Sequence, residues 1–370
     1  MSKKTKGKVF VGMSGGVDSS VSAALLQKEG YDVTGVFMKV WQPDFLPCTW
    51  EAERRDALRV AAHLGIPLLT WDFEKEYKEN VADYMIREYR VGRTPNPDVM
   101  CNREIKFGAF FRRAIASGGD FVATGHYAEV KQVKTPKGTT YKMFVGMDES
   151  KDQSYFLWTL GQRELSKTFF PIGGFKKSQV RMLAKKFRLP VAEKKDSQGL
   201  CFMGKLDMKE FLAHFIEEKE GSVIDEQGVV MGSHRGAFFY TLGERHGFSV
   251  DKKTTNEKPY YIVAKDLETN TLIVAHQTKK PAGCATEELC VSQGSFVGGA
   301  VPDTAHVYTA QVRYHGEFYA SKIRALNGGD FFLQFEKPVL ADAGQSVVIY
   351  DGKECVGGGV IESKLSLNMQ

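Results

Sequence analysis

Residues Lys8 to Leu26, KVFVGMSGGVDSSVSAALL, form the stretch that decides the fold. Val9, Phe10 and Val11 make a short apolar run of the kind that fills a parallel strand. Gly12, Gly15 and Gly16 come next, and glycine lets the chain turn sharply and approach a ligand with no Cβ in the way. Val17, Val21, Ala24 and Leu25 then recur at helical spacing, with Gly30 placed to stop the helix. A strand, a glycine turn and a helix in succession leave free N–H groups at the helix start. With the hydroxyls of Ser14, Ser19 and Ser20 beside them, such groups suit phosphate. The turn is not a Walker loop, which needs a Lys directly after its last glycine, where Val17 and Asp18 stand here. Asp18 either attends the phosphates or caps the helix.

Outward from this unit, Val33 to Met38 and Leu68 to Trp71 are predicted strands, and Trp50 to Leu64 a helix ended by Gly65 and Pro67. Glu74 to Arg90 and Ile105 to Ser117 are predicted helices, and Phe121 to Thr124 a short strand before Gly125 and His126. Strands alternating with helices of this length predict an α/β, doubly wound parallel sheet with helices on both faces. Ligands of such sheets bind at the carboxyl ends of the strands, where Gly12 to Ser19, Met38 and Gly125 fall.

Val130 to Gln132 and Tyr141 to Val145, around the turn Thr135 to Gly138, predict a hairpin added to this core. Ser154 to Leu160 and Ser178 to Phe187 are predicted helices. The pattern changes after about Gly204. Val223 to Ile224, Val229 to Met231, Tyr260 to Ala264 and Leu272 to Ala275 predict a small β-rich central domain. Val307 to Tyr314, Tyr319 to Ala325, Phe331 to Phe335, Val347 to Tyr350 and Val356 to Ile361 predict a terminal barrel or sandwich. The expected division is a catalytic domain at 1–205, a central domain at 206–280 and a β-barrel at 281–370.

With 370 residues the chain has length for two or three domains. Nowhere does it approach the roughly 18 consecutive apolar residues of a membrane span. The basic start MSKKTKGKVF runs into the first strand without a signal-like apolar segment, so a cytoplasmic protein with no membrane partner is expected. A formal charge of +5 permits RNA without requiring it. The six cysteines are scattered and include no CxxC pair, which argues against a disulfide scaffold, zinc or an iron–sulfur cluster, and no metal site is predicted. Cys284 and Cys290 are expected to be structural thiols, and the pattern does not decide the role of Cys48.

Gly92 to Phe107, GRTPNPDVMCNREIKF, holds two prolines and two asparagines and is predicted to be a loop. Within it Asp98 and Cys101 are three apart. Arg103 and Lys106 lie just beyond, and nearby cations favour a nucleophilic thiolate. A buried Cys in a turn is the alternative. A second loop, Asp196 to Gly204, DSQGLCFMG, sets Cys201 beside two glycines and Ser197. Two such loops a hundred residues apart raise the possibility of a redox pair.

SGGVDSS and these two loops, with ATGHYA (Ala123 to Ala128), KDQSYFL (Lys151 to Leu157), QVRY (Gln311 to Tyr314) and GQSVVIY (Gly344 to Tyr350), resemble one family along essentially the whole chain. It is the tRNA-specific 2-thiouridylase (MnmA/TrmU) family of ATP pyrophosphatases. The resemblance implies an adenine nucleotide α-hydrolase-like domain that binds ATP with Mg2+ through Gly12, Met13, Ser14, Gly15, Gly16, Val17, Asp18, Ser19, Met38 and Gly125. It implies that ATP adenylates O2 of the wobble uridine of tRNA, making a poor leaving group into AMP and releasing pyrophosphate. Cys201 would carry a persulfide whose terminal sulfur attacks the adenylated carbon or is first freed as hydrosulfide. Cys101 would attack that persulfide and leave a Cys101–Cys201 disulfide, and Asp98 would serve as general acid or base.

By the same resemblance, Asn96, Pro97 and Asp98 border a flipped-out target base. His126, Lys151, Asp152, Gln153, Arg313, Tyr314 and Gln345 contact the tRNA. Arg313 beside Tyr314 pairs a phosphate-seeking guanidinium with a stacking ring. Implied partners are the tRNAs for Lys, Glu and Gln and a cysteine desulfurase or sulfur-carrier protein, with the enzyme a monomer. Other readings remain open on the residues alone. Another ATP pyrophosphatase would need neither cysteine, a cytidine-thiolating relative would need a cysteine-held cluster, and an RNA-binding or nucleotide-sensing module would need no chemistry.

Overall fold

A computed structural model describes residues 5–136, 138–196, 201–202, 204, 207–251, 258–276, 285–326 and 329–362. Cys284, Ser197, Lys137 and part of the DSQGLCFMG loop lie outside the described residues. Up to residue 170 the strands are β1 (Lys8–Gly12), β2 (Asp32–Lys39), β3 (Leu68–Asp72), β4 (Phe121–Ala123), β5 (Ala128–Thr135), β6 (Gly138–Val145) and β7 (Thr168–Phe169). Five of them form a parallel sheet in the order β3-β2-β1-β4-β7.

β1 is central, and its alternating side chains enter two separate cores. Phe10 packs on one face with Trp71, Phe110 and Val122. Val9 and Val11 pack on the other with Val21, Leu26 and Val60. The predicted doubly wound sheet is therefore present. Its first helix, α1 (Val17–Glu29), stops at Gly30 with φ +93°, a left-handed cap that glycine adopts without a Cβ clash.

The predicted loop over Gly92 to Phe107 is corrected in its second half, which is helical. Asn96 caps the helix, its Oδ1 accepting the Val99 N–H at 3.1 Å. Pro97 occupies the first helical position, where its missing N–H leaves no bond unmade. The residues that signal a loop by type are thus a helix start. The helix runs through an α turn (Pro97–Met100), a π-helical stretch (Cys101–Ala109) and a second α segment (Phe110–Ala116). π-Bulges are frequent at functional sites because they re-aim side chains. The predicted helix from Glu74 to Arg90 holds a similar π turn at Lys78–Ala82. Ser154 to Leu160 is shorter than expected, a single 3-10 turn (Ser154–Phe156) before a short helix (Gln162–Leu165).

The central strands β8 (Gly221–Ile224), β9 (Val230–His234), β10 (Tyr260–Asp266) and β11 (Thr271–His276) make a sheet in the order β10-β11-β8-β9. β12 (Thr286–Phe296), β13 (Tyr308–Gln311), β14 (Phe318–Ala325), β15 (Phe331–Val339), β16 (Ser346–Asp351) and β17 (Glu354–Ile361) form an antiparallel barrel, closed where β12 pairs with β17. The sequence pattern does not reveal β12 or the helix Met208–Ala213.

The β5–β6 hairpin does not extend the parallel sheet as expected. β6 pairs with β17, Phe144 opposite Glu354 and Met143 opposite Cys355, so the hairpin belongs to the barrel's sheet. Met143 is buried with Trp158, Val348 and Tyr350, which binds the nucleotide-type domain to the barrel. A third tie is electrostatic. The Asp342 carboxylate accepts from Thr94 Oγ1 at 2.9 Å, Lys265 Nζ at 2.7 Å and the Leu242 N–H at 3.1 Å. Residues from all three units thereby fix the segment leading to Asp98. Among the described residues no helix is long and apolar enough to cross a membrane.

Candidate active site

The turn between β1 and α1 opens at the carboxyl edge of the sheet. No side chain caps α1, which leaves its first-turn N–H groups without a side-chain acceptor, as phosphate binding requires. Ser14 and Ser19 lie together, with Oγ atoms 3.4 Å apart. Gly15 has φ +72°, and a Cβ there would stand 2.3 Å from the Glu53 carbonyl oxygen of α2 (Trp50–Leu64). Gly125 is equally constrained, since a Cβ would meet Ser19 N at 2.7 Å. A Cβ on Gly12 would meet Met38 Cε at 2.9 Å. Val17 is buried, and Met13 donates its N–H to Val36 O at 2.8 Å. The expected nucleotide residues therefore converge on one turn.

Asp18 does not cap α1. Lys177 Nζ donates to both its oxygens at 2.8 Å, and Tyr127 donates its hydroxyl to Oδ1 at 2.8 Å. Lys177 also reaches Asp196 at 2.9 Å, where Arg181 and Lys151 converge at 2.6 and 3.4 Å. Lys194 donates to Gly15 O at 3.2 Å and to Asp56 at 2.7 Å. Sequence reasoning misses Lys177, Arg181 and Lys194, because lysines and arginines on a helix, or just after one, look like a solvated face. Each of these cations is held by a carboxylate, Asp18, Asp56 or Asp196, and could exchange it for a phosphate oxygen.

The two cysteine segments meet. Cys101 Sγ and Cys201 Sγ are 3.5 Å apart, both free thiols. Cys101 is fully buried on the π-helical stretch. Cys201 is partly open, with its N–H donated to Asp98 Oδ1 at 3.0 Å and its carbonyl accepting the Tyr77 hydroxyl at 2.8 Å. The Cys101 thiol donates to Cys201 and pulls its pKa down to about 7. Burial opposes this, and the Lys106 ammonium adds to it. Burial pushes the Cys101 thiol well above the ordinary value. The easily ionised sulfur is thus on Cys201, the thiolate being the reactive form. Burial raises the Asp98 pKa, against the pull of the Cys201 N–H and Lys106, as suits a proton-handling carboxyl.

The phosphate turn and the thiols are neighbours through one dipeptide. Gly125 lies against the start of α1, and His126, the next residue, meets Lys106 Nζ at 3.3 Å. The other expected RNA residues are distributed around this centre. Asp152 accepts the Gly146 N–H at 2.8 Å, Gln153 Oε1 accepts the Tyr127 N–H at 3.1 Å, and Tyr314 donates its hydroxyl to Asp152 O at 3.0 Å. Arg313 donates to Leu340 O at 3.2 Å, and Gln345 Oε1 accepts the Asp342 N–H at 3.3 Å. Cys48 is exposed and distinct from the thiol pair. Among the described residues no cluster of three or more His, Cys, Asp or Glu could hold a metal ion.

Three family models match in chain order. The tRNA methyl transferase HUP domain covers residues 7–205, the tRNA methyl transferase PRC-barrel domain 209–276, and the aminomethyltransferase beta-barrel domain 286–361. The tRNA-specific 2-thiouridylase MnmA of Enterococcus faecalis is 43% identical over 366 residues, 98% of this chain and 97% of that protein. The chain belongs to the tRNA-specific 2-thiouridylase family. Further members are the MnmA proteins of Lactococcus lactis subsp. cremoris, 45% identical over 96% of this chain and 94% of theirs, and of Francisella philomiragia, 43% identical over 96% and 99%. Family membership and fold agree, with a parallel HUP-type domain, a central PRC-barrel domain and a closed antiparallel barrel.

Proposed function

We propose that the protein makes 2-thiouridine at the wobble position of tRNA, using Mg2+-bound ATP to activate the base and Cys201 to deliver the sulfur. The observation that carries this is the Cys101–Cys201 pair, 3.5 Å apart beside the glycine-serine turn. Uracil O2 leaves poorly as oxide because its carbonyl is amide-like. Adenylation joins O2 to the α-phosphorus of ATP and expels pyrophosphate into the N–H and lysine cradle around Gly12 to Ser19, with Met38 and Gly125 bordering the nucleotide. Once phosphate and Mg2+ arrive, Lys177 can exchange Asp18 for phosphate oxygens.

The Cys201 persulfide anion then adds its terminal sulfur to C2 and AMP departs. Cys101 attacks the Cys201 sulfur, the S–S bond to the transferred sulfur breaks, and 2-thiouridine leaves with a Cys101–Cys201 disulfide behind it. Release of hydrosulfide before attack on C2 consumes the same two thiols. Asp98, bordered by Asn96 and Pro97, holds or moves the proton at the ring. His126, Lys151 to Gln153, Arg313, Tyr314 and Gln345 shape the tRNA face.

A methyl transfer, which two of the family-model descriptions name, gives no reason for two thiols within bonding reach over an ATP turn. The tRNAs for Lys, Glu and Gln are the proposed substrates, and a desulfurase or persulfide carrier the proposed sulfur source. Mass spectrometry of nucleosides from tRNA incubated with the protein, ATP, Mg2+ and a persulfide donor that loads Cys201 is expected to show 2-thiouridine only when ATP is present. No 2-thiouridine in the complete mixture, or equal amounts with and without ATP, would overturn the proposal.

A further inference from the structure

Lys106 stands five residues after Cys101 on the same helix. Its ammonium lies 5.6 Å from the centroid of the ring of Phe202, the residue that follows Cys201, and 3.3 Å from His126 Nε2, close enough to favour the ionised form of the Cys201 sulfur. An ammonium can only donate, so His126 Nε2 accepts and the ring proton is on Nδ1. That Nδ1–H donates to Thr124 Oγ1 at 2.7 Å. Thr124 and His126 are 4% and 6% exposed, so the tautomer and the ring's orientation are fixed by packing. Burial and the adjacent ammonium both push the His126 pKa down and keep the ring neutral. A buried ammonium is costly unless an anion answers it. Among the described residues no carboxylate forms a salt bridge with Lys106, and Asp98 acts on it only through space.

We propose that Lys106 is the counter-ion of the anionic sulfur on Cys201, thiolate before loading and persulfide anion after it, and that neutral His126 is the positioning residue that holds the ammonium there. This assignment rests on Cys201 carrying the sulfur. The groups facing Cys201 from the packed elements are the Cys101 thiol, Asp98, Lys106 and the Tyr77 hydroxyl. Of these only Lys106 carries a positive charge. The flexible stem of a lysine lets that charge track the sulfur when a persulfide moves it one atom outward.

The test is peptide-resolved alkylation of Cys201 by iodoacetamide as a function of pH, in the full chain. Wild-type reactivity is expected to be half-maximal below the ordinary thiol range. In Lys106→Met the midpoint is expected to rise by about one unit or more, lowering alkylation at neutral pH at least about fivefold, and Lys106→Arg is expected to restore most of it. His126→Gln is expected to shift the midpoint part of the way. Should Lys106→Met fail to fold, Lys106→Gln removes the charge with its polarity retained and is read in the same way. A midpoint that is the same in wild type and in either neutral variant overturns the counter-ion role. Loading of wild-type protein with a persulfide donor is scored separately, and its failure at Cys201 counts against the sulfur-carrier function and leaves the alkylation result standing.

Discussion

A Cys201→Ser protein is expected to form no measurable 2-thiouridine, a loss of at least about a thousandfold, as for other nucleophiles whose removal disables a unit of groups. A hydroxyl at this position cannot take up a sulfane sulfur, and the other thiol in reach among the described residues, Cys101, is buried with its pKa raised. ATP and tRNA binding should persist, because the described partners of Cys201, Tyr77, Cys101 and Asp98, lie outside the glycine turn and α1. Cys101→Ser should stall at the same stage for a different reason. Sulfur loads on Cys201, but the group that would break the S–S bond from 3.5 Å away is absent. The double variant should be no worse than either single one, since the two sulfurs act together. Nucleoside analysis gives the product, and persulfide-selective labelling separates the two stalls. Thiouridine from Cys201→Ser at near wild-type rate would remove Cys201 from the chemistry.

Gly15→Ala is expected to abolish productive ATP use by a different physical route. A left-handed residue with a Cβ costs about 1–2 kcal/mol on its own. Here the new atom would also stand 2.3 Å from a carbonyl oxygen of helix α2, which is backbone and cannot swing aside. The turn must move, and the N–H groups that hold phosphate move with it. ATP affinity and pyrophosphate release should fall about a hundredfold, about 2.8 kcal/mol at 1.4 kcal/mol per decade. Gly30→Ala is the control. It has a similar left-handed φ of +93° but nothing within 4 Å of the added Cβ, so it should cost stability and leave ATP binding intact. Calorimetry with Mg2+-ATP and a pyrophosphate-release assay distinguish the two. Equal ATP binding by Gly15→Ala and Gly30→Ala would show that the turn does not set the phosphate site.

The parallel core is legible in the sequence because local patterns determine it. A three-residue apolar run, a glycine turn and a 3.6-residue repeat each declare themselves within about ten residues. The misreading at Asn96-Pro97 has a local cause too. Asparagine and proline mark turns and also mark helix starts, and only the residues after them decide between the two. Here Val99, Ile105 and Phe107 are buried on the helix that Asn96 and Pro97 begin. The hairpin is misplaced by sequence reasoning for a nonlocal reason. β5 and β6 are recognisable alone, but their partner β17 lies some two hundred residues away, and no periodicity names a partner. β12 escapes notice where Glu287 and Glu288 interrupt its alternation of apolar and polar residues.

In the site, the glycines and both cysteines stand out by residue type, whereas the groups that tune them do not. Lys177 finds Asp18 across 159 residues, and Lys106 reveals its role only when Cys201 arrives beside it. His126 reads from its motif as an RNA contact. Its ring nitrogens are engaged by Thr124 and Lys106 inside the protein, a fact of packing that residue type does not express.

The most direct test of the central claim is to load Cys201 with a persulfide, add tRNA and Mg2+-ATP without external reductant, and map thiols and nucleosides from the same single turnover. One Cys101–Cys201 disulfide for each 2-thiouridine formed is the expected result. Thiouridine formed while both cysteines remain free, or a disulfide joining either of them to another residue instead, would contradict it.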